Sequence, residues 1–125
     1  MLKTYLINLD LSEDRLHVMN GRTRSVGLVF QRIPGIVGSD LLLEELDEVD
    51  ITTYEKWHGK ALNPGEVGCY LSHITAMKEF LASDAEFGLI LEDDANFPED
   101  FQSLIHSVVA NARSWDVVKL SSFHS

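Results

Sequence analysis

Three groups of residues have the types and spacing that chemistry requires. Glu92-Asp93-Asp94 are consecutive carboxylates placed directly after the apolar run Leu89-Ile90-Leu91. Two unit charges about 4 Å apart repel by about 4 kcal/mol at an effective dielectric of about 20, so a cluster kept at a strand end calls for neutralisation. Where a strand runs into a loop, Glu92 and Asp94 point one way and Asp93 the other. Glu92 and Asp94 then make an all-oxygen seat for Mg²⁺ or Mn²⁺. Such an ion bridges to a diphosphate and stabilises it as a leaving group. The competing reading is an exposed acidic turn in which Asp94 or Asn96 caps the next helix.

Asn8, Asp10 and Arg15 form the second group. Asn8 and Asp10 end the first apolar run, where amide and carboxylate groups can read a nucleoside. Arg15, one turn into the following helix, can take a phosphate bidentately. The alternative is a capping loop closed by an Asp10–Arg15 ion pair. The third group is Glu66, Cys69 and His73, which share a helix face at spacings of three and four. His73 with Cys69 suggests a soft-metal site, but two candidate ligands without further Cys or nearby His are a weak signal for one. His73 therefore reads as a partly buried structural residue or a substrate contact, and Cys69 as packing.

These groups must be carried by regular elements. Thr4 to Leu9 is rich in strand formers, and Ser12 is placed to cap a helix with Leu16, Met19 and Val26 on its stripe. Gly27 ends that helix in the left-handed conformation. Leu28 to Ile33 reads as a second strand closed by Pro34-Gly35, and Ser39 to Asp50 as a helix with an acidic solvated face. Residues 51–62 are irregular. Asn63, Pro64 and Glu66 announce a helix by cap, first-turn proline and capping box. Its expected core stripe is Val67, Tyr70, Leu71, Ile74, Met77 or Lys78, and Leu81. Leu89-Ile90-Leu91 is a strand covered on both faces. Pro98 opens a helix with Phe101, Leu104, Ile105 and Val108 inward, and Trp115 to Leu120 reads as a last strand. Strands alternating with helices predict an α/β fold with a mainly parallel sheet. In such sheets ligands bind beyond the carboxyl ends of the strands, which selects the loops Asn8–Arg15 and Glu92–Asn96.

The chain has 125 residues, 45% of them apolar, which is one domain's worth with a real core. Its formal charge of −10 leaves no basic footprint for nucleic acid. Anionic lipid is repelled on balance, so an anionic partner needs a cation as intermediary. Cys69 is the lone cysteine, which forbids an intrachain disulfide and implies no oxidising compartment. Tyr5-Leu6-Ile7 is too short for a signal-peptide core or a membrane span, so the expected location is the cytoplasm.

Taken together, three stretches resemble glycosyltransferase family 25, the lipopolysaccharide and lipooligosaccharide biosynthesis transferases. They are Tyr5-Leu6-Ile7-Asn8-Leu9-Asp10 with Ser12, Asp14, Arg15 and Leu16; Pro64-Gly65-Glu66-Val67-Gly68-Cys69-Tyr70-Leu71-Ser72-His73; and Ile90-Leu91-Glu92-Asp93-Asp94-Ala95. The resemblance runs from Lys3 to about Ser121 and implies a GT-A-like, Rossmann-related fold. It also implies transfer of a sugar, often galactose, from a UDP-sugar donor to a lipooligosaccharide or other glycan acceptor. Carried over by position, Asn8, Leu9, Asp10 and Arg15 fall in the donor-side segment. Glu92 and Asp94 fall in the metal-binding acidic motif for Mn²⁺ or Mg²⁺, with Asp93 beside them on the donor. The first acidic position is Glu rather than Asp, which leaves open whether Glu92 or Asp93 assists Asp94. Gly65, Gly68 and His73 match the central helix, with His73 on the donor side.

Family members continue past Val117–Leu120, so the resemblance implies that these 125 residues are the donor-binding front half. The remainder would hold most of the acceptor site, the catalytic base and any peripheral contact with the inner membrane. No catalytic residue is assigned here. Two other classes compete: a receiver-like α/β binding module, and an inactive remnant pairing with a second copy through a sheet edge near Val117–Leu120. A receiver carries its acidic pair after the first strand, whereas here Asp10 stands alone there.

Overall fold

The computed structural model describes residues 1–40 and 63–120. Three strands form the sheet: β1 (Leu2–Asn8), β2 (Phe30–Pro34) and β3 (Phe87–Glu92). The order is β2-β1-β3, and both pairings are parallel, with Asn8 opposite Pro34 and Ile7 opposite Glu92 at the carboxyl end. The α/β architecture with a parallel sheet is as expected. Because β1 is central, its residues are covered on both sides, and Tyr5 and Leu6 are fully buried.

Helix α1 (Glu13–Ser25) has Glu13 and Asp14 in its first turn and Arg22 and Arg24 in its last, each suited to the dipole. Ser12 stands at its N-cap without a side-chain cap bond. Gly27 follows the helix with φ +73°, the left-handed conformation expected of it. Helix α3 (Phe101–Ala110) starts three residues after Pro98 and turns Phe101 and Ile105 inward. Leu104 is exposed, and Val109 packs in its place. One face of the sheet therefore closes over Leu6, Met19, Leu28, Leu89, Leu91, Phe101 and Ile105, with α1 and α3 as its cover.

The other face belongs to α2 (Pro64–Leu81), where Tyr5, Ile33 and Ala76 are buried together. Asn63 caps this helix as predicted, its Oδ1 accepting from the Gly65 amide at 2.8 Å. Val67 and Leu71 are buried as expected, but the rest of the inward row differs from the expected one. Tyr70, Met77 and Leu81 are exposed, while Gly68, Ser72 and Ala76 are buried at four-residue spacing. Small residues allow the helix backbone to approach the neighbouring chain closely, which bulky apolar ones would prevent. A Cβ on Gly68 would collide with the Ile36 carbonyl and lie 2.7 Å from the Gly38 amide nitrogen. Ser72 Oγ accepts from the Ile36 amide at 2.8 Å and donates to the Gly68 carbonyl at 2.7 Å.

The last strand expected from sequence is not found among the described residues. Among the described residues Trp115 to Leu120 carries no strand, and Val117 is 85% exposed. A β-strand needs a partner for its amides. Trp115 instead folds back, its Nε1 donating to the Val108 carbonyl at 3.0 Å and its ring lying 6.0 Å from Phe87. Among the described residues the sheet edge anticipated near Val117–Leu120 is thus not seen, and the outer strands are β2 and β3. Gly38–Asp40 form a short 3₁₀ turn. The remainder of the helix expected to Asp50, and the stretch 51–62, lie outside the described residues. Among the described residues no helix is long and apolar enough to cross a membrane.

Candidate functional site

The chain leaves β1 toward β2 on one side and returns to β3 on the other, so the carboxyl ends of β1 and β3 flank a topological switch point, the place where open α/β sheets bind ligands. Both candidate loops start there. They border a cleft of about 260 Å³ whose walls include Leu9, Arg15, Ile36, Cys69 and the three acidic residues 92–94. A larger cleft of about 670 Å³ opens at the amino end of the strands, between Leu2, Val29, Phe87 and Val109. It gathers no pair of carboxylates, so the smaller one is the candidate site.

Asn8 organises the carboxyl end. It is 2% exposed, and both N–H donors and one acceptor site of its side chain are used within the protein. Its Nδ2 donates to the Ser12 carbonyl at 3.1 Å and to Asp93 Oδ2 at 2.9 Å, and its Oδ1 accepts from Arg32 Nε at 3.0 Å. Asn8 thereby holds the strand ends together, with both of its N–H donors taken by Ser12 and Asp93. Arg32 Nη2 also donates to the Asn8 carbonyl at 2.9 Å and to Asp10 Oδ1 at 2.6 Å. Arg15 instead reaches Asp93 Oδ1 at 3.2 Å. The two ion pairs therefore run Asp10–Arg32 and Arg15–Asp93, and not Asp10–Arg15. Parallel pairing of β1 with β2 carries Arg32 to the end of β1, beyond the reach of any local sequence pattern.

The carboxylates separate by strand alternation. Asp93 turns to the α1 side, 13% exposed and held by Asn8 and Arg15, while Arg15 remains 64% exposed at the rim. Glu92 turns to the α2 side. Its Oε1 accepts from Cys69 Sγ at 3.3 Å and lies 3.1 Å from His73 Nε2. Burial first, and then the neighbouring Glu92 carboxylate, push the Cys69 thiol above its ordinary pKa although the residue sits at an exposed rim. Asp94 is exposed, and among the described residues its carboxylate makes no hydrogen bond or ion pair. Its backbone is fixed nonetheless, because Arg22 Nη1 donates to the Asp94 carbonyl at 3.5 Å and to the Ala95 carbonyl at 2.8 Å. Arg22 and Arg32 are the members that sequence reasoning missed; an arginine in a helix's last turn or in an edge strand carries no local mark of a distant partner.

Two carboxylates of this group could hold a hard cation. Asp94 and the Oε2 of Glu92 are carboxylate oxygens without a partner among the described residues, on the wall of one cleft. Asp93 is a poorer ligand, since both of its oxygens already accept from Asn8 and Arg15. After β1 only Asp10 stands, paired with Arg32, so the acidic pair of a receiver-like module is not at that place.

The comparisons with known proteins point in one direction. The sequence pattern of glycosyltransferase family 25, described as an LPS biosynthesis protein, matches residues 1–124. The chain is similar to procollagen galactosyltransferase 1-B of Xenopus laevis, 29% identical over 94% of this chain and 21% of that protein. It is similar to a glycosyltransferase 25 family member of Aedes aegypti, 28% identical over 91% of this chain and 20% of that one. A human protein named inactive glycosyltransferase 25 family member 3 is 36% identical over 53% of this chain and 12% of its own length. The chain spans about a fifth of the length of the first two of these curated relatives. No solved structure matches it.

Proposed function

The chain belongs to glycosyltransferase family 25, and from that premise we propose that the cleft at the carboxyl ends of β1 and β3 binds the diphosphate of a UDP-sugar. Glycosyl transfer is the family's activity. The sugar moved is galactose in this reading, and the acceptor is a lipooligosaccharide or another glycan. One of the relatives is named a procollagen galactosyltransferase, which supports the choice of galactose.

The observation that carries the reading is a division of labour among the three carboxylates. Asp93 is tied to Asn8 and Arg15, Glu92 to the α2 side, and Asp94 alone is left without a partner among the described residues. Asp94, with Glu92 Oε2, would hold Mn²⁺ or Mg²⁺, which supplies charge neutralisation for the departing diphosphate. Arg15 binds the same diphosphate from the rim, its guanidinium oriented by Asp93. Asn8 fixes Asp93 and so sets the angle of that guanidinium. Leu9 and Ile36 are apolar parts of the cleft wall.

Calorimetry on the chain tests this directly. UDP is expected to bind weakly alone and at least about tenfold more tightly with Mn²⁺, a coupling of about 1.4 kcal/mol. Asp94→Ala removes the coupling while leaving the metal-free UDP affinity in place. Equal UDP binding with and without Mn²⁺, or undiminished coupling in Asp94→Ala, refutes the reading. A thermal-shift panel of nucleotide sugars with Mn²⁺ then identifies the donor.

A further inference from the structure

We propose that Cys69, His73 and Glu92 form a second metal site, selective for a borderline-soft ion such as Zn²⁺, which uses Glu92 Oε1 and shares only the Glu92 carboxylate with the hard-cation seat at Asp94. Among the described residues this is the one group of three potential ligands in which one donor atom from each lies within 4.8 Å of the others. Glu92 Oε1 lies 3.3 Å from Cys69 Sγ and 3.1 Å from His73 Nε2. Tetrahedral zinc with ordinary Zn–S, Zn–N and Zn–O bonds spaces its ligand atoms about 3.3–3.6 Å apart, so only small side-chain movements are required. The ligand types decide the ion. A thiolate and an imidazole beside one carboxylate suit Zn²⁺ and disfavour Mg²⁺ or Mn²⁺.

The backbone behind these ligands is rigid. Cys69 and His73 are one helical turn apart on α2, and each follows a residue docked on the segment Ile36–Gly38. Gly68, before Cys69, lies against the Ile36 carbonyl and the Gly38 backbone, and Ser72, before His73, accepts from the Ile36 amide. Glu92 is the last residue of β3, in register with Ile7 of the central strand. Three ligands come from two fixed elements, and Cys69 and Glu92 open on the cleft, which leaves the fourth position to water. On binding, the proton on Cys69 Sγ leaves to solvent, and Glu92 Oε1 exchanges the hydrogen bond from that thiol for the metal.

Cobalt(II) reports on the site without any need for sugar transfer. Titrated into the reduced full chain, Co²⁺ is expected to bind one equivalent with a near-ultraviolet thiolate-to-cobalt band that Zn²⁺ displaces. Cys69→Ser abolishes the band, and His73→Ala weakens Zn²⁺ binding by more than about tenfold, since even the loss of an outer partner costs that much. Asp94→Asn leaves the band unchanged while removing Mn²⁺-dependent UDP binding, so this proposal and the donor reading fail separately. A folded wild-type chain that shows no such band overturns the proposal without recourse to any variant. So does a band and an affinity that survive Cys69→Ser and His73→Ala.

Discussion

The side-chain amide of Asn8 donates to Asp93 Oδ2 at 2.9 Å, joining the carboxyl ends of two parallel strands across 85 positions of sequence. The same amide group accepts from Arg32 and donates to the Ser12 carbonyl ahead of α1. One buried side chain therefore ties β1, β2, β3 and the start of α1 at the point where the cleft opens.

Replacing Asn8 by Ala leaves Arg32 Nε and Asp93 short of a partner in a partly buried place. Each unsatisfied group costs about 1–3 kcal/mol. Chemical denaturation is expected to show a loss in that range, and UDP affinity is expected to fall with it as Asp93 loses its support. An unchanged denaturation midpoint would remove Asn8 from this role.

Gly68 lies where α2 meets the Ile36–Gly38 segment. A methyl group there collides with the Ile36 carbonyl, and backbone on both sides leaves no flexible group to move aside. Gly68→Ala is expected to destabilise the chain by about 1–3 kcal/mol, in the range of an overpacked core. Gly65→Ala, which meets only the Asn63 side chain at 3.2 Å, is the milder control. Thermal melts of the two variants separate close approach from simple helix propensity.

Arg15 is exposed at the rim, and its pair with Asp93 contributes little to stability. Arg15→Ala is expected to leave the melting temperature almost unchanged and to weaken UDP binding about tenfold, the worth of one charge-assisted hydrogen bond. Titration calorimetry reads both the affinity and its dependence on Mn²⁺. A variant that binds UDP as tightly as the parent places the diphosphate elsewhere.

The Cys69 thiol is raised by partial burial and by Glu92, so its thiolate is scarcer than that of a free cysteine at mildly alkaline pH. Reaction with a disulfide reagent at pH 8 is expected to be slower than that of a small-molecule thiol and to accelerate as pH rises beyond 9.0, the ordinary value. Glu92→Gln removes the repelling charge, lowers the pKa and speeds the reaction. A slower Glu92→Gln variant would show that access, and not charge, governs the thiol.

The signals that the sequence announces are local ones. Asn63-Pro64 starts α2 because a cap oxygen and a proline act within a few residues, and Gly27 ends the turn after α1 because a positive φ is a one-residue property. Strand alternation sends Glu92 and Asp93 to opposite faces, as the spacing requires. The inward row of α2 was not legible in the same way. Period alone favours the bulky Tyr70, Met77 and Leu81, and only the proximity of Ile36–Gly38 selects Gly68 and Ser72. Trp115 to Leu120 has strand composition, but a strand exists only where a neighbour accepts its hydrogen bonds.

By itself, then, the sequence determined the α/β class, the family and the two loops that carry the charged residues, because each depends on patterns within short stretches. Tertiary structure decided how those charges pair. It gave Arg32 to Asp10, Arg15 to Asp93, and Cys69 with His73 to Glu92, and it left Asp94 without a partner among the described residues. Parallel strands must be joined by long crossovers, so residues adjacent at their ends are distant in sequence. No local pattern records which of them meet.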